Sequence, residues 1–207
     1  PQAKSGVRNV AIADVGVGGA AIIPLWIVPG FPGEAFRYRA RETIDRLAIA
    51  PPTQAGYRAG LTAARADLAR AVALSPGNGQ AWSDLAYATA LWAHVEPGRT
   101  AELGREAEAA AERALTISQA GPENWIRRGV ARDMQGRWLE GGNDFTRATS
   151  IAPHNAITWY YYADHLSRKE TDRGLAQAAL AFCLRLDPGN RPGLALRHRL
   201  AISPKAP

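Results

Sequence analysis

The sequence predicts an all-α protein built from a repeated helical unit. Three observations carry that expectation. From Glu34 onward, Ala-rich amphipathic stretches of 12 to 21 residues follow one another with no sustained period-2 alternation. Short breaks separate them at Pro51-Pro52, Pro76-Gly77-Asn78, Pro97-Gly98, Gly121-Pro122, Pro153-His154-Asn155 and Pro188-Gly189-Asn190. A tryptophan returns at a fixed place: Pro76 to Trp82 and Pro153 to Trp159 are each six residues, Trp125 to Trp159 spans 34, and Pro153 to Pro188 spans 35.

The N-terminal stretch, residues 1–33, reads differently from the rest. Between Arg8 and Glu34 the only formal charge is Asp14, and Val10 to Val28 is long enough to span a bilayer. Pro and Gly are tolerated in membrane helices, and Asp14 lies near the Arg8 end, where it can reach the interface. A membrane anchor, an extended arm covering the rest of the protein, and a cleaved signal peptide are all compatible with this composition. Gly16 and Ala20, four apart, would let another membrane helix approach closely. The run Gly16-Val17-Gly18-Gly19-Ala20-Ala21 matches a G-x-G-x-x-A dinucleotide fingerprint, but Pro24 interrupts the helix that should follow and no βαβ unit surrounds it.

Nine helices are expected after it: Glu34 to Ile49, Gln54 to Leu74, Asn78 to His94, Thr100 to Ser118, Pro122 to Gln135, Trp138 to Ile151, Asn155 to Ser167, Thr171 to Leu186 and Arg191 to Ile202. Residues 34–190 would form the repeat domain and residues 191–207 a basic capping helix and tail. The net charge is +6, of which residues 185–207 alone supply +4, so the basicity belongs to the tail and is no general nucleic-acid footprint. Arginine supplies 22 of the 25 basic residues, a bias expected of a GC-rich bacterial genome. One cysteine, Cys183, and four scattered histidines offer neither an internal disulfide nor a zinc spacing.

In the best repeat copy, Pro122 to Asn155, Trp125 is followed by Gly129, Gly141, Phe145, Ala148 and Pro153. The preceding copy has Trp82, Leu85, Ala86, Ala107, Ala111 and Ala114, and the following one Trp159, Tyr162, Ala163, Leu166, Ala176, Leu180, Cys183 and Pro188. A degenerate first unit supplies Ala64, Leu68, Ala71 and Pro76. This pattern resembles the tetratricopeptide repeat (TPR) family over roughly Gln54 to Asn190. The resemblance implies a right-handed α-solenoid of antiparallel helix pairs, in which Gly129 and Gly141 admit close helix approach while Phe145 and Trp125 fill the space around them. Two departures stand out. Arg128 and Arg132 occupy positions where the family prefers Leu and Tyr, and Trp82 to Trp125 spans 43, an excess of nine residues placed around His94 to Arg99.

The family register also implies a concave groove lined by the first helix of each pair, at Ser83, Tyr87 and Ala90, at Ile126, Val130 and Asp133, and at Tyr160, Asp164 and Ser167. Tyr87, Ile126, Val130, Asp133, Tyr160 and Asp164 are the candidate partner-binding residues. None of the nine is basic, which argues against the family's clamp for a terminal carboxylate. Of the consecutive Trp159, Tyr160, Tyr161 and Tyr162, two should face inward and at least one outward, because neighbours on a helix point about 100° apart. Glu102, Glu106, Glu108 and Glu112 read as a solvated face interleaved with Arg105 and Arg113. His94, His154, His165 and His198 read as residues of loops and helix ends, and Cys183 as a core thiol.

With no nucleophile elbow, zinc helix, phosphate loop or paired loop carboxylates, no enzyme, cofactor, metal or small-molecule substrate is expected. The expected function is a scaffold or assembly subunit that binds protein partners, tethered to a bacterial inner membrane. The repeats would face the periplasm, since an apolar run behind a short basic stretch resembles a signal anchor. Arg37, Arg39, Arg41 and Arg46 just after the run favour the cytoplasm instead. Alternatives are a soluble adaptor whose N-terminal arm packs on a partner subunit, and an accessory that stacks polysaccharide on Tyr and Trp.

Overall fold

The computed structural model describes residues 33–49 and 53–202. The run Val10 to Val28, with Gly16 and Ala20, lies outside them, and among the described residues no helix is long and apolar enough to cross a membrane. The described chain is helical without strands: α1 Glu34–Ile49, α2 Gln54–Leu74, α3 Gly79–Trp92, α4 Thr100–Ile117, α5 Pro122–Met134, α6 Trp138–Ile151, α7 Ala156–Leu166, α8 Arg173–Leu186 and α9 Arg191–Ile202. Short 3-10 turns at Pro97–Arg99 and Glu170–Asp172 precede α4 and α8, so α8 starts later than expected, while α3 ends at Trp92, where the Ala93, His94 and Val95 N–H groups bond the carbonyls three residues back.

The punctuation acts in both directions. At three junctions a proline, Pro76, Pro153 or Pro188, follows a finished helix, and the asparagine two residues on opens the next by satisfying an N–H of the first turn, whereas Pro122 itself opens α5. Asn78 accepts from the Ala81 N–H at 3.1 Å, Asn155 from that of Ile157 at 3.0 Å, and Asn190 from that of Gly193 at 3.0 Å. Within the pair α5/α6 the turn is made by Gly136, whose φ of 74° no other described residue matches. Its neighbour Arg137 donates its N–H back to the Arg132 carbonyl at 2.9 Å, a left-handed helix stop that favours glycine.

The six-residue spacing has a direct physical meaning. The indole N–H of Trp82 donates to the Pro76 carbonyl at 2.9 Å, that of Trp159 to the Pro153 carbonyl at 2.7 Å, and that of Trp125 to the Gln119 carbonyl at 2.8 Å. Each tryptophan ties the first turn of a helix to the carbonyl end of the helix before it. Replacing any of the three by Phe removes one such bond and is expected to cost about 1 kcal/mol in urea unfolding. Trp125 itself is half-buried and packs against the cluster of Ile126, Phe145 and Ala148. Phe145 is the largest fully buried side chain of that cluster and faces Gly129 so closely that a Cβ there would lie 2.9 Å from the ring.

Helices adjacent in sequence pack as antiparallel pairs, α1/α2, α3/α4, α5/α6 and α7/α8, with α9 laid on α7 and α8. The first helices also touch one another in the order α1, α3, α5, α7, whereas the second helices do not pack extensively on each other. The stack therefore curves with its first helices on the inner side, which is what creates a groove. Eight of the nine excess residues of the second pair fall in two places, and the ninth is in α3. Residues 93–99 make a long connection, and α4 has 18 residues against 14 in α6.

Arg128 and Arg132 depart from the family pattern because they serve a charge network inside the stack. Arg128 grips Asp144 of α6 with Nε at 3.1 Å and Nη2 at 2.8 Å, and Arg132 adds Nη1 at 2.9 Å. Arg132 Nε also bonds Glu108 of α4 at 2.8 Å, and Gln135 and Arg137 reach its second oxygen at 2.8 Å and 2.6 Å. Glu108 is thus no member of a solvated face: it is only 9% exposed, while Glu102, Glu106 and Glu112 are exposed as expected. Desolvation pushes its carboxyl pKa up, but the Arg132 and Gln135 hydrogen bonds and the Arg137 charge outweigh that and hold it below the usual value.

Candidate partner-binding groove

The inner helices bring side chains from four repeats into one line. Arg41 of α1 lies with its guanidinium carbon 5.7 Å from the centre of the Tyr87 ring on α3. Over the same ring, at 3.9 Å, lies the guanidinium of Arg127 on α5, and its Nη1 donates to the Tyr161 hydroxyl of α7 at 3.2 Å. Tyr161 in turn meets Tyr160 edge to face at 5.1 Å. Tyrosine and arginine thus alternate along the groove, each flat cation seated on an aromatic face. Burial pushes the phenols of Tyr87 and Tyr160 up to about 12, so both remain neutral hydrogen-bond donors at physiological pH.

The positions expected to line the groove fall into three groups. Tyr87, Val130, Tyr160 and Asp164 are half-buried on the inner side. Ile126 is a correction: only 1% exposed, it packs with Phe145 and Ala148, because the inner face of α5 is turned one residue on, toward Arg127. Asp133 is buried as well and committed within the fold. The four consecutive aromatics from Trp159 to Tyr162 are all half-buried, with none fully inward and none fully outward. Asp164 is held by Arg168 and by Arg199 of α9, each at 2.8 Å. The inner side is therefore not free of cations: Arg127 and Arg168 stand next to two of the nine positions, and Arg199 reaches Asp164 from α9.

At the joint between the third and fourth pairs, His165 leaves the role of a helix-end residue and becomes a buried link. Its Nδ1 lies 2.9 Å from both oxygens of Asp133, and its ring packs 5.0 Å from Phe145 and 6.1 Å from Trp138. Gly142 makes room, since a Cβ there would stand 3.0 Å from His165 Nε2. Beside the link a cavity of about 30 Å3, lined by Val130, Met134, Tyr161 and Arg168 among others, is large enough to admit water. Among the described residues no three His, Cys, Asp or Glu side chains converge as a metal site.

Burial pushes the Asp133 carboxyl above its ordinary value, with the His165 hydrogen bond pulling the other way. A carboxyl raised in the folded state makes a contribution to stability that is present below its unfolded value near 3.8 and lost as pH rises through the folded value. Asp133→Asn keeps an acceptor for Nδ1–H and removes the buried charge. Urea titrations of both proteins across that window should show the variant gaining on the wild type as pH rises. A difference independent of pH would mean that Asp133 is not desolvated.

Solved structures share the fold of the described helices. TTC0263, a thermophilic TPR protein of Thermus thermophilus, matches with a TM-score of 0.59 at 15% identity, over 84% of this chain and 96% of that one. The fold is that of the tetratricopeptide repeat. Two further TPR-type neighbours agree: YrrB, described as a TPR protein with an unusual peptide-binding site, at a TM-score of 0.52 and 16% identity over 84% of this chain and 87% of that one, and MamA at 0.52 and 13% over 83% and 87%. No family model and no curated protein matches the chain. In TPR terms, Arg127 and Tyr161 stand one 34-residue period apart, in the column next to the positions that the family register implies. Aligning that column with Asp84 would have exposed both, since Asp84 too is engaged across repeats, by Arg37 at 3.2 Å and Arg41 at 3.4 Å.

Proposed function

We propose that this protein is a non-catalytic interaction scaffold whose concave face docks a segment of a protein partner. The observation that carries the reading is the line of Tyr87, Arg127, Tyr161 and Tyr160 across three successive inner helices. Aromatic and arginine side chains dominate the energetics of protein interfaces, and here they are already ordered against each other, so little entropy is lost when a partner covers them. The TPR fold supports the same reading, as does the description of YrrB as having a peptide-binding site.

The decisive experiment is co-purification from the native source with the wild-type chain and with Tyr87→Ala/Tyr160→Ala, folding being checked by circular dichroism. Loss of about 2 kcal/mol per anchor would reduce partner recovery to background. Unchanged recovery with intact helicity would move the interface to the convex face or to the basic helix α9.

The proposal includes a tether: Val10 to Val28 inserted in an inner membrane, with the repeats outside the cytoplasm. It is supported by the length and near-neutrality of that run. Extraction by detergent but not by alkali is the expected result, and protease added to spheroplasts should degrade the repeats. Their survival would reverse the orientation, and release by alkali would replace the span with a packed arm.

A further inference from the structure

We infer that Arg127 is the seat for an acidic side chain, Asp or Glu, within an internal stretch of the partner segment. The inference deepens the groove reading and rests on it. Among the described residues, Arg127 is the one arginine that is not solvent-exposed and yet has no carboxylate within 4.0 Å. Every other partly or fully buried arginine is paired, as Arg37, Arg41, Arg128 and Arg132 illustrate. Its Nε is buried without an acceptor, and its contacts are the Tyr87 face and the Tyr161 hydroxyl. A guanidinium withdrawn from water without a counter-charge is costly, and a fold that has paired its other inner arginines so thoroughly leaves this one for an anion that arrives from outside.

Charge complementarity selects the occupant. The groove's carboxylates are already engaged, Asp133 by His165 and Asp164 by Arg168 and Arg199, so the one uncompensated charge facing a partner is positive. A carboxylate is flat and matches two N–H groups of a guanidinium that is itself held flat on an aromatic ring. Position argues for an internal residue rather than a chain end. Arg127 lies on α5, with Tyr87 of α3 on one side and Tyr160 of α7 on the other, so a segment that terminated at Arg127 would leave half of the line uncovered.

The test uses the full chain and a display library of random 12-residue peptides flanked on both sides by carrier sequence, so that no terminus is free. Selected sequences should share one Asp or Glu between apolar residues. A synthetic copy with acetyl and amide ends should lose about 10- to 100-fold in affinity when that residue is changed to Asn or Gln, and about the same against Arg127→Gln, with little further loss when both changes are combined. Arg127→Gln should melt no lower than the wild type, since it removes an unpaired charge. The peptide exchange against wild-type protein decides the matter even if that variant folds poorly. Peptides that need Tyr160 but carry no acidic residue would overturn this inference and leave the groove reading standing. Binding confined to peptides with a free C-terminal carboxylate would overturn it too, and a library that yields no peptide dependent on Tyr160 would overturn both. A lowered melting temperature in Arg127→Gln with unchanged peptide affinity would make Arg127 a structural residue.

Discussion

Asp144→Ala is expected to destabilise the protein by about 3–5 kcal/mol, because it removes one side of a buried charge network and leaves the other behind. Asp144 is only 2% exposed and receives three hydrogen bonds, two from Arg128 and one from Arg132. With the carboxylate gone, Arg128 keeps only the Trp125 ring, 4.8 Å away, and Arg132 keeps Glu108. The network spans α4, α5 and α6, so the loss should appear as cooperative unfolding at lower urea with an unchanged slope. Asp144→Ala/Arg128→Leu, which restores the family's preferred residue and removes one stranded guanidinium, should recover part of the loss. Measured values add for independent sites, so recovery in the double variant is the signature of coupling. A single-variant effect under about 1 kcal/mol would show that water reaches the guanidinium groups freely.

Much of the architecture is legible in the sequence because local and global signals agree in this chain. Pro76, Pro153 and Pro188 each stand after a finished helix, the asparagine two residues on caps the next, and the indole bond six residues back needs no distant partner to be recognised as a spacing. Helix boundaries differ from expectation mainly where a 3-10 turn replaces a helical one, before α8 and after α3. What is not legible depends on residues far apart in sequence. Glu108 and Glu112 lie four apart on α4, and the residues that grip the first, Arg132 and Arg137, come from 24 and 29 residues away. His165 does lie near the end of a helix, yet its burial depends on Gly142 and Asp133, 23 and 32 residues away. The register implied for the inner helices puts a buried residue, Ile126, among the groove positions on α5. There Ile126 points into the core and Arg127 outward, because the apolar stripe of that helix follows Phe145 and not an average family pattern.

Phe145→Ala carries the other large expected effect, a loss of about 3–5 kcal/mol in urea unfolding. Phe145 is 1% exposed and stands at the meeting point of two repeats, with Gly129 of α5 under its ring and His165 of α7 beside it. Truncation leaves a void that Gly129 has no side chain to fill, and the backbone of α5 cannot move inward while Arg128 and Arg132 hold it to Asp144 on the same helix as Phe145. The void would adjoin the cavity beside His165, so the Asp133 link should loosen as well, and the loss should exceed that of Ile126→Ala in the same cluster. Gly129→Ala tests the contact from the other side: its Cβ would meet the ring at 2.9 Å, and overpacking of this kind costs about 1–3 kcal/mol. Gly129→Ala/Phe145→Leu relieves that clash and should be more stable than the sum of its parts predicts. Phe145→Ala should also cost more than Trp125→Ala, since Phe145 is 1% exposed and Trp125 half-buried, and equal effects would contradict this packing of α5 on α6.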